Sequence, residues 1–326
     1  MPQHRVLQND LLRAAVAPAE GGRIASLVSL QSGVEFLFQP QHPFAPVQQG
    51  RHANFQQGAC AGIEECLPTV SACAVNGETI PDHGDFWQLA WNVLPSPHAN
   101  ALCIRADGFS QPLRFTKNIL LRGGCLRMEY QIENIGNSPA SFLYATHPLL
   151  AIEAGDSILL PAEVSELTVH ASNHNRLGNV NDRIAWPIVT RAAGETPIDM
   201  SCVLDSTAGT ADMLYSDRLE AGWCGLYRAQ QRQGIVVRFD AAALPYLGLW
   251  ICCGGWPLDS SGPQQYAFAP EPTTAPCGSL EEALRRGFAV PLLPQGSFEF
   301  AIEFCIAPHG LTLEEFSRFA SEAPWN

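Results

Sequence analysis

Short apolar runs separated by turn signals recur almost from one end of the chain to the other, and their lengths and alternation predict strands. Arg5–Gln8 and Leu11–Val16 flank Asn9-Asp10, a natural hairpin turn pair. Gly21-Gly22 then breaks the chain before Ile24–Leu30, and Ser32-Gly33 turns it into Val34–Phe38, which together read as a β-meander. Further strands are predicted at Ala101–Ala106, Leu113–Leu121, Cys125–Glu133, Ser141–Ala145 and Ser157–Pro161. Later ones fall at Gly222–Tyr227, Gly234–Phe239, Tyr246–Cys252, Tyr266–Pro270 and Ser297–Ile306. Cys125–Glu133 alternates and should have one wet face, whereas Gly248–Cys253 is apolar on both sides and should be buried. Only two helices are predicted. Ser279 caps Leu280–Arg286 and Gly287 ends it, and Thr312 caps Leu313–Ala320 with glutamates in the first turn. Phe38–Pro81, rich in Gln, Pro and Gly, reads as a long functional loop. No repeat or linker divides the chain, so residues 1–326 are expected to form a single all-β domain, a large antiparallel sandwich.

Composition narrows the partners. Hydrophobic residues make up 46% of the 326 and charged residues 16%, the profile of a globular protein with a sizeable core. No apolar run approaches the roughly 18 residues of a membrane helix, and the N-terminal residues lack a signal peptide's apolar stretch. A soluble, cytoplasmic protein is the expectation. The net charge of −13 argues against nucleic acid or anionic membrane as partner. Lys117, the only lysine, sits in a strand-like run without an obvious charged neighbour, which counts against Schiff-base chemistry. The 11 cysteines are scattered without a CxxC pair, and adjacent Cys252 and Cys253 are poorly placed to bond to each other. They are expected to be reduced and buried as small apolar residues.

Candidate chemistry starts from the nine histidines. His4, His42, His98 and His309 lie at the terminus or beside Pro and Gly in loops, and read as surface residues. His170 and His174 fall in a polar stretch without an apolar anchor. His83 and His147 differ. His83 lies in Pro81-Asp82-His83-Gly84-Asp85-Phe86-Trp87, between two carboxylates, and His147 ends an apolar strand in Thr146-His147-Pro148. A satisfied core histidine is the plain alternative for His147. Asp82, His83 and Asp85 could ligate a metal, but no second histidine stands at ligand spacing, so neither metal nor cofactor is expected. Among carboxylates Glu271 stands out, clamped between Pro270 and Pro272 in an extended backbone with few conformers.

These residues resemble the aldose 1-epimerase (galactose mutarotase-like) superfamily. The resemblance rests on Leu244-Pro245-Tyr246-Leu247-Gly248-Leu249-Trp250, on Pro270-Glu271-Pro272-Thr273-Thr274 and on the Ser279–Leu284 helix start. Gly21-Gly22-Arg23-Ile24, His83-Gly84, Trp91 and Thr146-His147-Pro148 fall in the family's order, so it covers nearly the whole chain. It implies a super-sandwich of antiparallel strands with a sugar cleft on one face, and interconversion of α and β anomers by acid/base ring opening. It implies His147 as acid, Glu271 as base, His83 on the substrate ring and Arg51 on sugar hydroxyls. Asp85 beside His83, and Glu64 in Gly62-Ile63-Glu64-Glu65-Cys66-Leu67-Pro68-Thr69, complete the expected binding set, with Trp250, Trp87 or Trp256 available to stack on a sugar face. For the family's sugar-binding aspartate the nearest candidates are Asp205 and Asp217. The acid and base are expected to face each other across a space the size of one sugar ring. The partner is then a small-molecule carbohydrate bound by a monomer or homodimer. The alternatives are a non-catalytic sugar-binding protein, or another isomerase or lyase acting on uronates or sugar phosphates, which would gather arginines in its cleft.

Overall fold

The computed structural model describes residues 4–40, 50–96, 100–191, 196–258 and 264–322. Two large sheets carry the architecture. The ten-stranded sheet runs, in spatial order, through Arg5–Gln8, Leu12–Ala17, Arg23–Ser29, Gly62–Cys66, Ala145–Ala151, Tyr266–Thr273, Tyr246–Cys253, Thr210–Ser216, Glu166–Ser172 and Arg183–Ala185. The eight-stranded sheet runs through Ser157–Leu159, Trp223–Arg228, Gln233–Phe239, Ser297–Ile306, Cys125–Asn134, Leu113–Arg122, Ala101–Asp107 and Asn92–Leu94. Neighbouring strands pair antiparallel in both. Apolar side chains of the two sheets meet in one core that includes Ile63, Phe115, Met128, Phe268 and Phe304. This is the predicted antiparallel sandwich.

Local chemistry explains the elements that match. Asn9 Oδ1 accepts from the amides of Leu11 and Leu12 and so closes the first hairpin turn. Cys125–Asn134 is buried at every second residue, as its alternation required. Helix α1 spans Leu280–Arg286, with Ser279 accepting from the Glu282 amide and Gly287 closing it in the left-handed region. Helix α2 spans Leu313–Glu322, and Thr312 and Glu315 cap each other's amides reciprocally.

Several expectations change. Val34–Phe38 makes only isolated bridges, Glu35 with Val28 and Leu37 with Leu150. Ser141–Ala145 straddles two strands: Ala140–Phe142 pairs with Val290–Leu292, while Ala145–Ala151 belongs to the large sheet. The strand predicted to stop at Pro270 continues through Glu271 to Thr273. Phe38–Pro81 is not one loop, since it holds the central strand Gly62–Cys66 and a hairpin of Cys73–Val75 with Glu78–Ile80. Residues 41–49 of that region, with His42, and likewise His98, lie outside the described residues.

Two buried groups also correct the sequence reading. Lys117 does have a charged partner: it crosses from the eight-stranded sheet to Glu65 on the other, Nζ to Oε1 2.7 Å, with both side chains fully buried. Tyr130 and Tyr144 donate to the same carboxylate, and Lys117 also donates to the Gly22 carbonyl. All four polar groups are therefore paired, which is what makes an ion pair tolerable in a dry core. Cys125 and Cys305, opposite each other on paired strands, form a disulfide, while the other nine cysteines are free.

Candidate active site

Proline placement opens the large sheet where the candidate chemistry sits. Ala145–Ala151 and Tyr266–Thr273 pair at Ala145 with Thr273, then again at Leu150 with Phe268 and Ala151 with Ala267. Between these pairs stand Pro148, Pro270 and Pro272, none of which has an amide to give a ladder. The register carries His147 opposite Glu271, and a side-chain bond spans the interval, Nδ1 to Oε1 2.8 Å. On the other side of His147, in the next strand, its register partner is Glu64. Beyond Glu271 come Gly248 and then Tyr215. Glu64, His147, Glu271, Gly248 and Tyr215 thus form one rung across five strands, and directly opposed residues share a face. Gly248 has a spatial reason: a Cβ there would stand 2.8 Å from Met213 Cε and 3.3 Å from Glu271 Cβ.

The rung is buried and charged. Burial opposes charge on His147, but Glu271, aided by Glu64 and Asp82, outweighs it and holds the imidazole pKa above its ordinary value. Burial pushes the Glu64 carboxyl up to about 7, against the pull of Arg23, His147 and the Ala61 amide. No described residue bonds His147 Nε2 or the second oxygen of Glu271, and both side chains line a cleft.

The His83-Gly84 pair approaches from a loop. His83 adopts φ 60° and Gly84 φ 72°, and a Cβ on Gly84 would lie 2.0 Å from the Leu67 carbonyl oxygen, so only glycine allows this turn to close on the Leu67 backbone. The His83 ring stacks on Phe55 with centroids 3.5 Å apart, and its centroid lies 5.1 Å from that of His147. Asp82 Oδ2 lies 3.3 Å from His83 Nδ1. Burial works against an ionised Asp82, yet His83 and the Ala72 amide keep its pKa below the usual value.

The cleft measures about 200 Å³, short of the roughly 300–1,000 Å³ of pockets for drug-sized ligands. His147, Glu271, His83 and Asp82 form its polar end, and Trp250 and Trp256 face each other edge-on as its aromatic wall. Trp250 Nε1 donates to Gln265 Oε1 at 2.6 Å, which fixes the indole. His170, Ser71 and Gly278 complete the lining with Phe55 and Tyr215. No Lys or Arg among the described residues lines it, and the remaining segments of the chain contain neither residue.

Of the expected site residues, His83, His147, Glu271 and Trp250 therefore come together on one cleft. Arg51, Asp85 and Glu64 do not line it. Arg51 donates to the Thr79 carbonyl and pairs with Glu78, tying loops together. Asp85 is fully buried and accepts from the Phe109 and Ser110 amides and the Ser110 hydroxyl. Glu64 lies beside His147 but is shut off from the cleft. Trp87 is a core residue whose Nε1 donates to the Asp82 carbonyl. Asp205 caps a turn at Thr207 and Asp217 pairs with Arg183, both away from the cleft. The expected ring-sized gap between acid and base is absent, because His147 and Glu271 touch. Sequence reasoning also missed Phe55, Asp82, Gln265 and His170 as lining residues. His170 does have an anchor: Leu167 and Val169 alternate with it and point to the core.

No family model matches the sequence, and no curated protein matches it. Solved structures do match in shape. The Slr1438 protein from Synechocystis sp. PCC 6803 superimposes with a TM-score of 0.68 at 17% identity, covering 94% of this chain and 96% of the other. A galactose mutarotase related enzyme from Lactobacillus acidophilus gives 0.65 at 14% identity, covering 94% and 98%. A galactose mutarotase-like protein from Clostridium acetobutylicum gives 0.63 at 14%, covering 91% and 92%. At these identities the likeness is one of fold. The chain has the galactose mutarotase-like fold, a sandwich of antiparallel strands, as its sequence motifs implied.

Proposed function

We propose that this chain is an aldose 1-epimerase-like enzyme that interconverts the α and β anomers of a neutral sugar. The observation that carries the reading is the His147–Glu271 contact at the wall of a cleft sized for one small molecule. The ring oxygen and the anomeric hydroxyl of an aldose are both bonded to C1. An acid serving one and a base serving the other must therefore be neighbours, as these two side chains are.

In this mechanism Glu271 takes the proton of the anomeric hydroxyl while His147, charged and held by Glu271 through Nδ1, gives its Nε2 proton to the ring oxygen. The C1–ring oxygen bond breaks and leaves an open-chain aldehyde. Rotation about the bond from C1 to C2 presents the other carbonyl face, and closure reverses both transfers. Positioned acid and base groups typically contribute about 10²–10⁴-fold. Trp250 and Trp256 offer apolar faces for a sugar ring, and His83, Asp82 and Gln265 offer polar groups to its hydroxyls. The absence of Lys and Arg from the lining argues against uronates and sugar phosphates, whose anions would lack a partner there.

The test is NMR exchange between anomers across neutral hexoses and pentoses, uronates and hexose phosphates. Exchange above the buffer rate, confined to neutral aldoses, is expected. Exchange no faster than buffer with sugars that demonstrably bind would eliminate the epimerase reading and leave a sugar-binding protein.

A further inference from the structure

Glu64 is the one carboxylate of the rung that no cleft contact explains. It is 3% exposed, and its Oε2 is buried without a hydrogen-bond partner. The groups that act on it are the Ala61 amide, His147, Arg23 and Glu20, whose like charge adds to burial in raising its pKa. The Ala61 amide, just before its strand, favours its charged form, and His147 stands opposite in the neighbouring strand. Arg23, on the strand at its other flank, acts on it only through space, because that guanidinium gives Nη2 to Glu20 at 2.6 Å and leaves Nε and Nη1 without partners. A carboxylate ionised here would have one buried oxygen with no donor from the described residues, which favours the neutral acid.

Resting on the epimerase reading above, we infer that Glu64 is a positioning residue whose neutral form supports turnover and which, when it ionises, tightens the hold on the His147 proton and so sets the alkaline limit of turnover. The physical steps are simple. With Glu64 neutral, Glu271 is the only anion in contact with His147, and the imidazolium releases its Nε2 proton readily. When Glu64 loses its proton to solvent, His147 is flanked by carboxylates on both sides of the rung. The second negative charge raises the affinity of His147 for its proton, and transfer to the ring oxygen slows. Glu64 touches no substrate in this scheme and acts only through His147. Its burial-raised pKa of about 7 places the transition near neutrality.

The test follows the ring nitrogens and protons of His147 by NMR between about pH 5 and 10 in wild type and Glu64→Gln, alongside anomer exchange on the same samples. In wild type the His147 signals should move in two steps, the first near pH 7 from Glu64 and the second from His147 itself. Glu64→Gln should lose the first step. It should also raise the ratio of the exchange rate at pH 8 to that at pH 6 by about threefold or more relative to wild type. A role confined to structure would change both rates together and leave the ratio alone. Should Glu64→Gln fail to fold, carboxyl ¹³C shifts of the glutamates in wild type carry the same information, since one buried glutamate must titrate near pH 7 in step with His147. A single-step His147 titration in wild type, or a first step that survives Glu64→Gln, overturns the inference. The titration needs no turnover, so a protein with the two-step curve and no anomer exchange would refute the epimerase reading and keep this coupling.

Discussion

His147 Nδ1 lies 2.8 Å from Glu271 Oε1, between two strands whose prolines leave no ladder at that level. One ring nitrogen is thereby committed to the carboxylate, while the other bonds no described residue and the side chain lines the cleft.

On the epimerase reading, that arrangement makes both side chains necessary for turnover. Glu271→Gln and His147→Asn should each lower the anomer exchange rate by about 10² or more, because each removes a proton-transfer partner. Polarimetry or NMR exchange with circular dichroism on the same samples checks it. A variant that is folded and keeps more than a tenth of the wild-type rate would remove that residue from the mechanism.

The pH dependence has a sign that follows from Glu271. It holds His147 above its ordinary pKa, so the acid-active form should persist beyond about pH 6.5. Stability follows the same linkage. A raised folded pKa means that the pair's contribution is fully present below the unfolded histidine pKa and is lost as pH rises through the folded value. Glu271→Gln should therefore cost roughly 1–3 kcal/mol at about pH 6 and less at about pH 9. Urea denaturation at the two pH values measures it. An equal cost at both would mean that His147 is uncharged in the folded protein.

His83 should govern binding more than chemistry. It is held by stacking on Phe55, and neither ring bonds Glu271. His83→Ala and Phe55→Ala should raise KM about tenfold with a smaller change in kcat, the loss of roughly 1.4 kcal/mol of ground-state binding. Saturation curves on one sugar resolve the two constants. A collapse of kcat with KM unchanged would make His83 a participant in proton transfer.

Away from the cleft, Lys117 holds the two sheets together through Glu65. Lys117→Ala leaves that carboxylate buried without its cation, at a cost of about 3–5 kcal/mol. Adding Glu65→Gln should recover part of the loss. Equilibrium urea denaturation of the single and double variants decides it, and additive losses would mean that the pair is not coupled in the folded state.

Much of this was legible in the sequence, and the failures have a common cause. Strands with one wet face, such as Cys125–Asn134, announced themselves by alternation. Gly62–Cys66 did not, because it lies within Phe38–Pro81, whose Gln, Pro and Gly content read as one long loop. In the fold Glu65 turns into the core to meet Lys117, and Glu64 turns to the opposite face, where the rung covers it. Their partners lie 52 and 83 residues away along the chain, beyond any local pattern. Glu271 was legible because two prolines advertise a rigid backbone, yet its contact with His147 was not, since it depends on the register of strands more than a hundred residues apart. Arg51 and Asp85 were misplaced for another reason: the family resemblance implied Arg51 as a sugar contact and Asp85 stands beside His83 in sequence, whereas their side chains fasten neighbouring backbone.

The single rung has a consequence for how the proposed activity would be acquired. Side chains in a strand alternate between faces, so a slip of one residue in Ala145–Ala151 or Tyr266–Thr273 would send His147 or Glu271 into the apolar interior and bring its neighbour out. A chain could collapse and gain most of its strand content with these registers unsettled, and it would be inert. Regain of catalysis during refolding should then lag behind the recovery of far-ultraviolet circular dichroism. An insertion of one residue in either strand should abolish activity even where it leaves hydrophobic composition untouched.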